Sequence, residues 1–259
     1  RDEYWQHGSV GEDFSRVTCP VFAVSGWADG YSNSVFRLLE GLSVPRYGLI
    51  GAWGHKYPHM AEPGPAIGFL QECLRFWDRH LAGKENGLDF EPMLRVWMQD
   101  AYDPEESSVR PGRWVAEPEW QSPRIRNERF ALAPWGLVQE NGHGYELTMN
   151  TDGAVRRAGG AVADQNTGEE LRQLTVESPL NVGLFVGKWT SYSADTDLPS
   201  DQRLADGGAL VFDTAPFEKA VEILGAPIAE LTVSANRPVA MVACRISDVA
   251  PDGSATRVT

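Results

Sequence analysis

Apolar residues change their spacing about midway along the chain. Pro20 to Ser25 (PVFAVS) is a short continuous apolar run of buried-strand type, stopped by Gly26. From Ser32 to Leu42, the residues Val35, Leu38, Leu39 and Leu42 recur at helical spacing, with Ser32 or Asn33 available as a cap. Tyr47 to Ile50 (YGLI) is a second buried-strand run. A longer helix is predicted over roughly 66–81, with Ile67, Leu70, Leu74, Trp77 and Leu81 as its apolar stripe and Gly83 just past its end. Met93 to Met98 is a third strand. Strand alternating with helix predicts an α/β layer built on parallel strands.

Residues 100–123 are rich in Pro, Glu, Ser and Trp and show no period, which predicts a linker packing its Trp side chains on a neighbour. Beyond it the helical spacing disappears. Arg129–Leu132, Tyr145–Thr148, Arg172–Val176, Ala209–Phe212, Ala229–Ser234 and Val239–Ile246 are short strand candidates separated by Gly, Pro, Asn and Asp. That pattern predicts a β-sandwich. The fold class is therefore α/β followed by all-β, divided into residues 1–122 and 123–259.

Composition narrows the partners. The net charge of -13 repels phosphate backbones and anionic lipid, which excludes nucleic acid and membrane surfaces as expected partners. No apolar run approaches the ~20 residues that span a bilayer. The three cysteines, Cys19, Cys73 and Cys244, form no CxxC pair and no cluster with His at ligand spacing. Each sits in an apolar segment and reads as a small buried hydrophobe. Neither a metal nor a cofactor is implied.

Two residues carry chemistry. Asp29 lies just past the strand PVFAVSG, and His55 just past YGLIG. The C-terminal edge of parallel strands is where open α/β sheets bind ligands. The order strand, Asp, helix, strand, His, helix is that of the last two triad members in α/β-hydrolases, where the nucleophile precedes both. A His needs a carboxylate on one ring nitrogen to hold the tautomer that takes a proton from a weak nucleophile. The bland alternative makes Asp29 a turn residue before Gly30 and His55 an ordinary loop histidine. Among the other histidines, His59 lies past Pro58, which also breaks any helix aligning it with His55 for a metal. His80 ends a helix, where a cation is favourable. His7 and His143 have no evident partner. No G-x-S-x-G elbow occurs; Ser9 and Ser43 lack its context.

GWADGYSNSVFRLLEGL, YGLIGAWGHKYPH and GPAIGFLQECLRFWDRHLAG resemble the CocE/NonD hydrolases, the cocaine-esterase-like branch of the X-Pro dipeptidyl-peptidase (S15) superfamily. DQRLADGGALVFDT, EILGAPIAELTVSANRP and CRISDVAPDGS resemble that family's C-terminal jelly-roll domain. The resemblance implies that residues 1–122 are the C-terminal part of an α/β-hydrolase catalytic domain and that 123–259 are a jelly-roll β-sandwich, stopping short near Thr259. It implies Asp29 as the triad acid and His55 as the base. It places the Ser, an oxyanion-hole Tyr and a helical cap upstream, so that the missing N-terminal part of the catalytic domain becomes a partner. The substrate it implies is a small ester or amide. The related α-amino-acid ester hydrolases set carboxylates just after the catalytic Asp to hold a substrate ammonium; Gly30, Tyr31 and Ser32 stand there in this chain. Proline-specific dipeptidyl-peptidase activity is the second choice. A competing class is a non-catalytic binding module in which Trp114, Trp120, Trp189 and Tyr192 stack on a ligand, against the simpler reading that they pack a domain interface.

Overall fold

The computed structural model describes residues 2–105, 108–133, 136–139, 147–149, 155–157, 174–187 and 197–259. They divide into two compact units. The larger contains Arg1–Pro123, Phe185–Gln202 and Gly225–Thr259, and the smaller Arg124–Leu184 and Arg203–Leu224.

After a short helix, α1 (Glu3–His7), the larger unit builds a four-stranded sheet. Its strands are β1 (Val21–Gly26), β2 (Arg46–Gly51), β3 (Leu94–Gln99) and β4 (Gly112–Glu117), adjacent in that order. The first three are parallel, and β4 runs antiparallel to β3. Helix α2 (Ser32–Gly41) joins β1 to β2, and α3 (Phe69–His80) lies between β2 and β3. The three predicted strands and two predicted helices are thus in place. Helix α3 starts later than predicted, at Phe69, with Gly68 as its N-cap.

Adjacent strand residues point to opposite faces. On one face Gly48 lies so close to α2 that a Cβ there would sit 2.7 Å from the Leu39 side chain and 3.1 Å from Val35. On the other face Tyr47 meets Phe76 of α3 edge-on at 6.2 Å, Phe22 stacks on the same ring at 5.7 Å, and Arg95 donates to Glu72 at 2.6 Å. So α2 covers one side of the sheet and α3 the other. Val35, Leu39 and Leu42 are buried with Ile50, Leu94 and Val96. Each such burial is worth about 1.5–3 kcal/mol relative to exposure.

Helix α3 corrects the sequence reading. Its predicted stripe faces outward: Leu70, Leu74, Trp77 and Leu81 are 63%, 60%, 52% and 77% exposed. The sheet is instead covered through Phe76, which is buried. The helix is apolar on two sides, and the longer stripe was not the one turned to the sheet.

The predicted linker is also corrected. Residues 112–117 form β4, with Trp114 opposite Trp97 and their rings 5.4 Å apart. The aromatic packing was legible, but the alternation of only six residues between Pro111 and Pro118 was too short to signal a strand. Gly112 makes the pairing possible: its φ is +156°, and a Cβ would lie 2.2 Å from the Met98 carbonyl oxygen.

The second half holds short antiparallel pairs: β5 (Phe130–Ala133) with β6 (Gly136–Gln139), β7 (Leu147–Met149) with β8 (Val155–Arg157), and β9 (Ser247–Val249) with β10 (Ala255–Arg257). The only helix among the described residues past 123 is α4 (Arg203–Asp206). Strands were found near two predicted places, Arg129–Leu132 and Tyr145–Thr148. Of the segments predicted as strands at 209–212, 229–234 and 239–246, only Ile246 pairs among the described residues, exchanging backbone hydrogen bonds with Val258 and Thr259 at the end of the β9–β10 ladder. Apolar alternation makes a strand only when another edge satisfies its N–H and C=O groups. Here Val233, Val239 and Met241 are exposed. The predicted strand at 172–176 lies partly outside the described residues, as do Trp189, Tyr192 and His143 entirely.

Candidate active site

The two loops that leave β1 and β2 are stitched together at the C-terminal edge of the sheet. The Trp27 N–H donates to the Gly51 carbonyl at 2.8 Å, and the Ala28 N–H to the Trp53 carbonyl at 3.2 Å, so pairing continues past both strand ends. Trp53 is buried between the loops. Only glycine fits beneath it: a Cβ on Gly26 would lie 1.8 Å from the Trp53 oxygen, and one on Gly51 2.0 Å from its ring.

This close approach sets Asp29 beside His55. The Asp29 backbone N–H donates to the Gly26 carbonyl at 3.1 Å, and its own carbonyl accepts from Ser32 N–H at 3.3 Å. Its Oδ1 accepts the Tyr31 N–H at 2.9 Å, just ahead of α2. The predicted Ser32 or Asn33 cap is not made; the helix N-cap is Tyr31, without a side-chain cap bond. Oδ2 is then left to face His55, whose Nδ1 lies 2.9 Å away. The Asp29 side chain is 10% exposed and that of His55 43%. With the proton on Nδ1 donated to the carboxylate, Nε2 is the nitrogen left for a reacting group. The Tyr31 ring stands 5.7 Å from the imidazole. The His55 loop is held by Gly54 N–H on the Glu62 carbonyl at 2.9 Å and by the Lys56–Glu62 ion pair.

The remaining histidines are placed elsewhere. His59 is exposed and stacks with Tyr57 at 5.8 Å and Phe69 at 6.3 Å. His80 packs on Phe76 at 4.7 Å and Tyr47 at 6.1 Å, with its buried Nε2 lacking a hydrogen-bond partner among the described residues. His7 lies exposed in the last turn of α1. Trp114 and Trp120 pack inside the larger unit, on Trp97 and on Phe36. Among the described residues no three His, Cys, Asp or Glu side chains gather as a metal site, and no helix is long and apolar enough to cross a membrane.

Comparison with known proteins decides the family. The model of the X-Pro dipeptidyl-peptidase C-terminal non-catalytic domain matches residues 86–259, and that of the X-Pro dipeptidyl-peptidase S15 family matches 1–57. The chain belongs to the S15 family. It is similar to cocaine esterase of Rhodococcus sp. strain MB1 Bresler, at 23% identity over 267 residues that cover 98% of this chain and 42% of that protein. The chain thus spans less than half the length of this relative. Among solved structures it is similar to a CocE/NonD family hydrolase from Staphylococcus aureus, at 13% identity and a TM-score of 0.39 over 57% of this chain and 25% of that one.

Sequence reasoning found the two polar residues of this S15 chain but missed what holds them. Nothing in apolar spacing marks Trp27, Tyr31, Trp53 or Trp97. The one legible signal was the glycine closing each strand, Gly26 and Gly51, which announces a close approach without naming its partner.

Proposed function

We propose that this chain supplies the acid and base of a serine hydrolase that cleaves an acyl ester or amide bond through a Ser–His–Asp triad. Asp29 orients and stabilises the imidazolium, and His55 is general base and then general acid. The Ser that attacks lies upstream of residue 1. The observation that carries the reading is the 2.9 Å contact of the Asp29 carboxylate with His55 Nδ1, at the ends of two adjacent parallel strands. That geometry suits a nucleophile approaching Nε2 from the solvent side. A Ser hydroxyl is a poor nucleophile at neutral pH and needs such a base. S15 membership and the name of the cocaine esterase relative support the same class. The absence of a G-x-S-x-G sequence supports an upstream Ser.

The edge of β1, unpaired among the described residues, and the exposed apolar outer side of α3 support an upstream partner within the same catalytic domain, because an open strand edge offers free N–H and C=O groups and a large exposed apolar patch marks a contact surface. On this reading residues 1–122 complete an α/β-hydrolase domain, and 123–259 belong to a jelly-roll β-sandwich whose unpaired segments gain ladder partners in the complete protein. The substrate is a small ester or amide that needs no ammonium clamp after Asp29. A second reading, proline-specific dipeptidyl-peptidase activity, is favoured by the family description alone.

A fluorophosphonate probe tests the proposal. The complete protein should label at one Ser upstream of residue 1, and this chain alone should not. Labelling within residues 1–259, or none in the complete protein, would overturn it. Turnover of a simple acyl ester against an X-Pro dipeptide anilide separates the two substrate readings.

A further inference from the structure

A chain of hydrogen bonds runs from the Asp29 loop across the top of the sheet to the His55 loop. It starts at Trp27, two residues before Asp29. The Trp27 indole N–H reaches over β2 and donates to the backbone carbonyl of Trp97 on β3 at 2.7 Å. Phe36 of α2 stacks against the Trp27 ring at 5.9 Å and holds it in that direction. The Trp97 indole N–H in turn donates to the Arg110 carbonyl at 3.2 Å. Gly112 leaves the space: a Cβ there would lie 2.9 Å from Trp97 Nε1. The Arg110 backbone N–H donates to the Gly64 carbonyl at 3.0 Å. Gly64 follows Glu62 and Pro63, and the Glu62 carbonyl accepts the Gly54 N–H next to His55.

Arg110 is a firm anchor for this chain. Its side chain is buried, and its guanidinium lies 3.8 Å from the centre of the Tyr102 ring. Trp97 therefore serves both loops from a strand that bears neither dyad residue. Its backbone oxygen fixes the approach to Asp29, and its ring nitrogen fixes the segment that carries the far side of the His55 loop.

We infer that Trp27 and Trp97 are positioning residues, an indole strut that holds the Asp29 and His55 loops at hydrogen-bonding distance. The inference rests on the hydrolase reading for its effect on rate, but not for its effect on geometry. Neither indole touches the reacting atoms. Each acts by fixing a loop, and loss of either donor lets the 2.9 Å contact between Asp29 and His55 lengthen.

The test replaces Trp27 or Trp97 in the complete protein with 3-benzothienylalanine, which keeps the ring and removes only the N–H. Trp114→Phe is the packing control, since Trp114 touches the Trp97 ring but lies outside the strut. Turnover of an acyl ester and the His55 Nδ1–H proton resonance are measured together. Each isostere should lower kcat by roughly ten-fold, short of the ~10²-fold that an ångström of misplacement can cost. KM should stay within about two-fold, because the donors bind no substrate. The His55 Nδ1–H resonance should shift upfield or exchange faster. The doubly substituted protein should be little worse than either single one, because the two bonds act in series. Unchanged kcat and an unmoved resonance in both isosteres would overturn the strut. If His55→Ala keeps its activity, the hydrolase reading fails, and the resonance alone then decides the strut: a shift upholds it, none overturns it.

Discussion

Helices α2 and α3 flank the same sheet, and the sequence marks both with an apolar stripe. In α2 the stripe is the buried face: Leu39 is 0% exposed, and Val35 and Leu42 are buried with it. In α3 the stripe points to solvent while Phe76, on another side of the helix, meets the sheet. The difference teaches that spacing identifies an apolar face but not what covers it. A helix with one apolar face has one place to go. A helix with two has a second contact to make, and on the hydrolase reading that contact falls to the upstream part of the catalytic domain.

The contrast can be broken by truncation. In the complete protein Leu39→Ala should cost about 2–5 kcal/mol, the range for emptying a packed leucine site. Leu74→Ala should cost a similar amount there if α3 is covered, but less than about 0.5 kcal/mol in this chain alone, as for other surface changes. Urea unfolding of both forms checks this. Equal small losses at Leu74 in both would mean that nothing covers the α3 stripe. The chain alone should also self-associate through that side, and Leu74→Glu with Trp77→Glu should reduce the association measured by sedimentation.

A smaller effect sharpens the picture on the α3 side of the sheet. Burial pushes the Tyr47 hydroxyl above its ordinary value of 10.0, with the negative charge of Asp89 adding to it. The folded state therefore holds that proton after the unfolded chain has released it. The resulting stability is fully present below pH 10 and is lost as the pH rises through the raised value. Unfolding free energies from pH 9 to 11 should fall more steeply for the native chain than for Tyr47→Phe. Superimposable curves would place Tyr47 in water.

Much of the α/β part was legible because its strands are continuous apolar runs ended by glycine, and because α2 has a single face. Asp29 and His55 were legible by position, each in the loop that leaves a predicted parallel strand. What escaped detection depends on partners distant in sequence. The role of β4 lies in its pairing with β3, and residues 112–117 are too few to show a period. The three segments between residues 209 and 245 have strand-like composition but no ladder among the described residues, and composition carries no information about a partner edge. Trp27 and Trp97 are invisible for the same reason: an indole N–H finds its acceptor through topology, 70 residues away in the case of Trp27.

The central claim is that His55, held by Asp29, is the base. The direct measurement is kcat/KM for an acyl ester on purified, folded variants of the complete protein. His55→Ala should lose at least about 10³-fold, and Asp29→Asn up to about 10⁴-fold, since the amide favours the wrong imidazole tautomer. His59→Ala should stay within a few-fold of the native rate, because His59 stacks on Tyr57 and Phe69 and has no carboxylate partner among the described residues. A dead His59→Ala beside a near-normal His55→Ala would contradict the assignment.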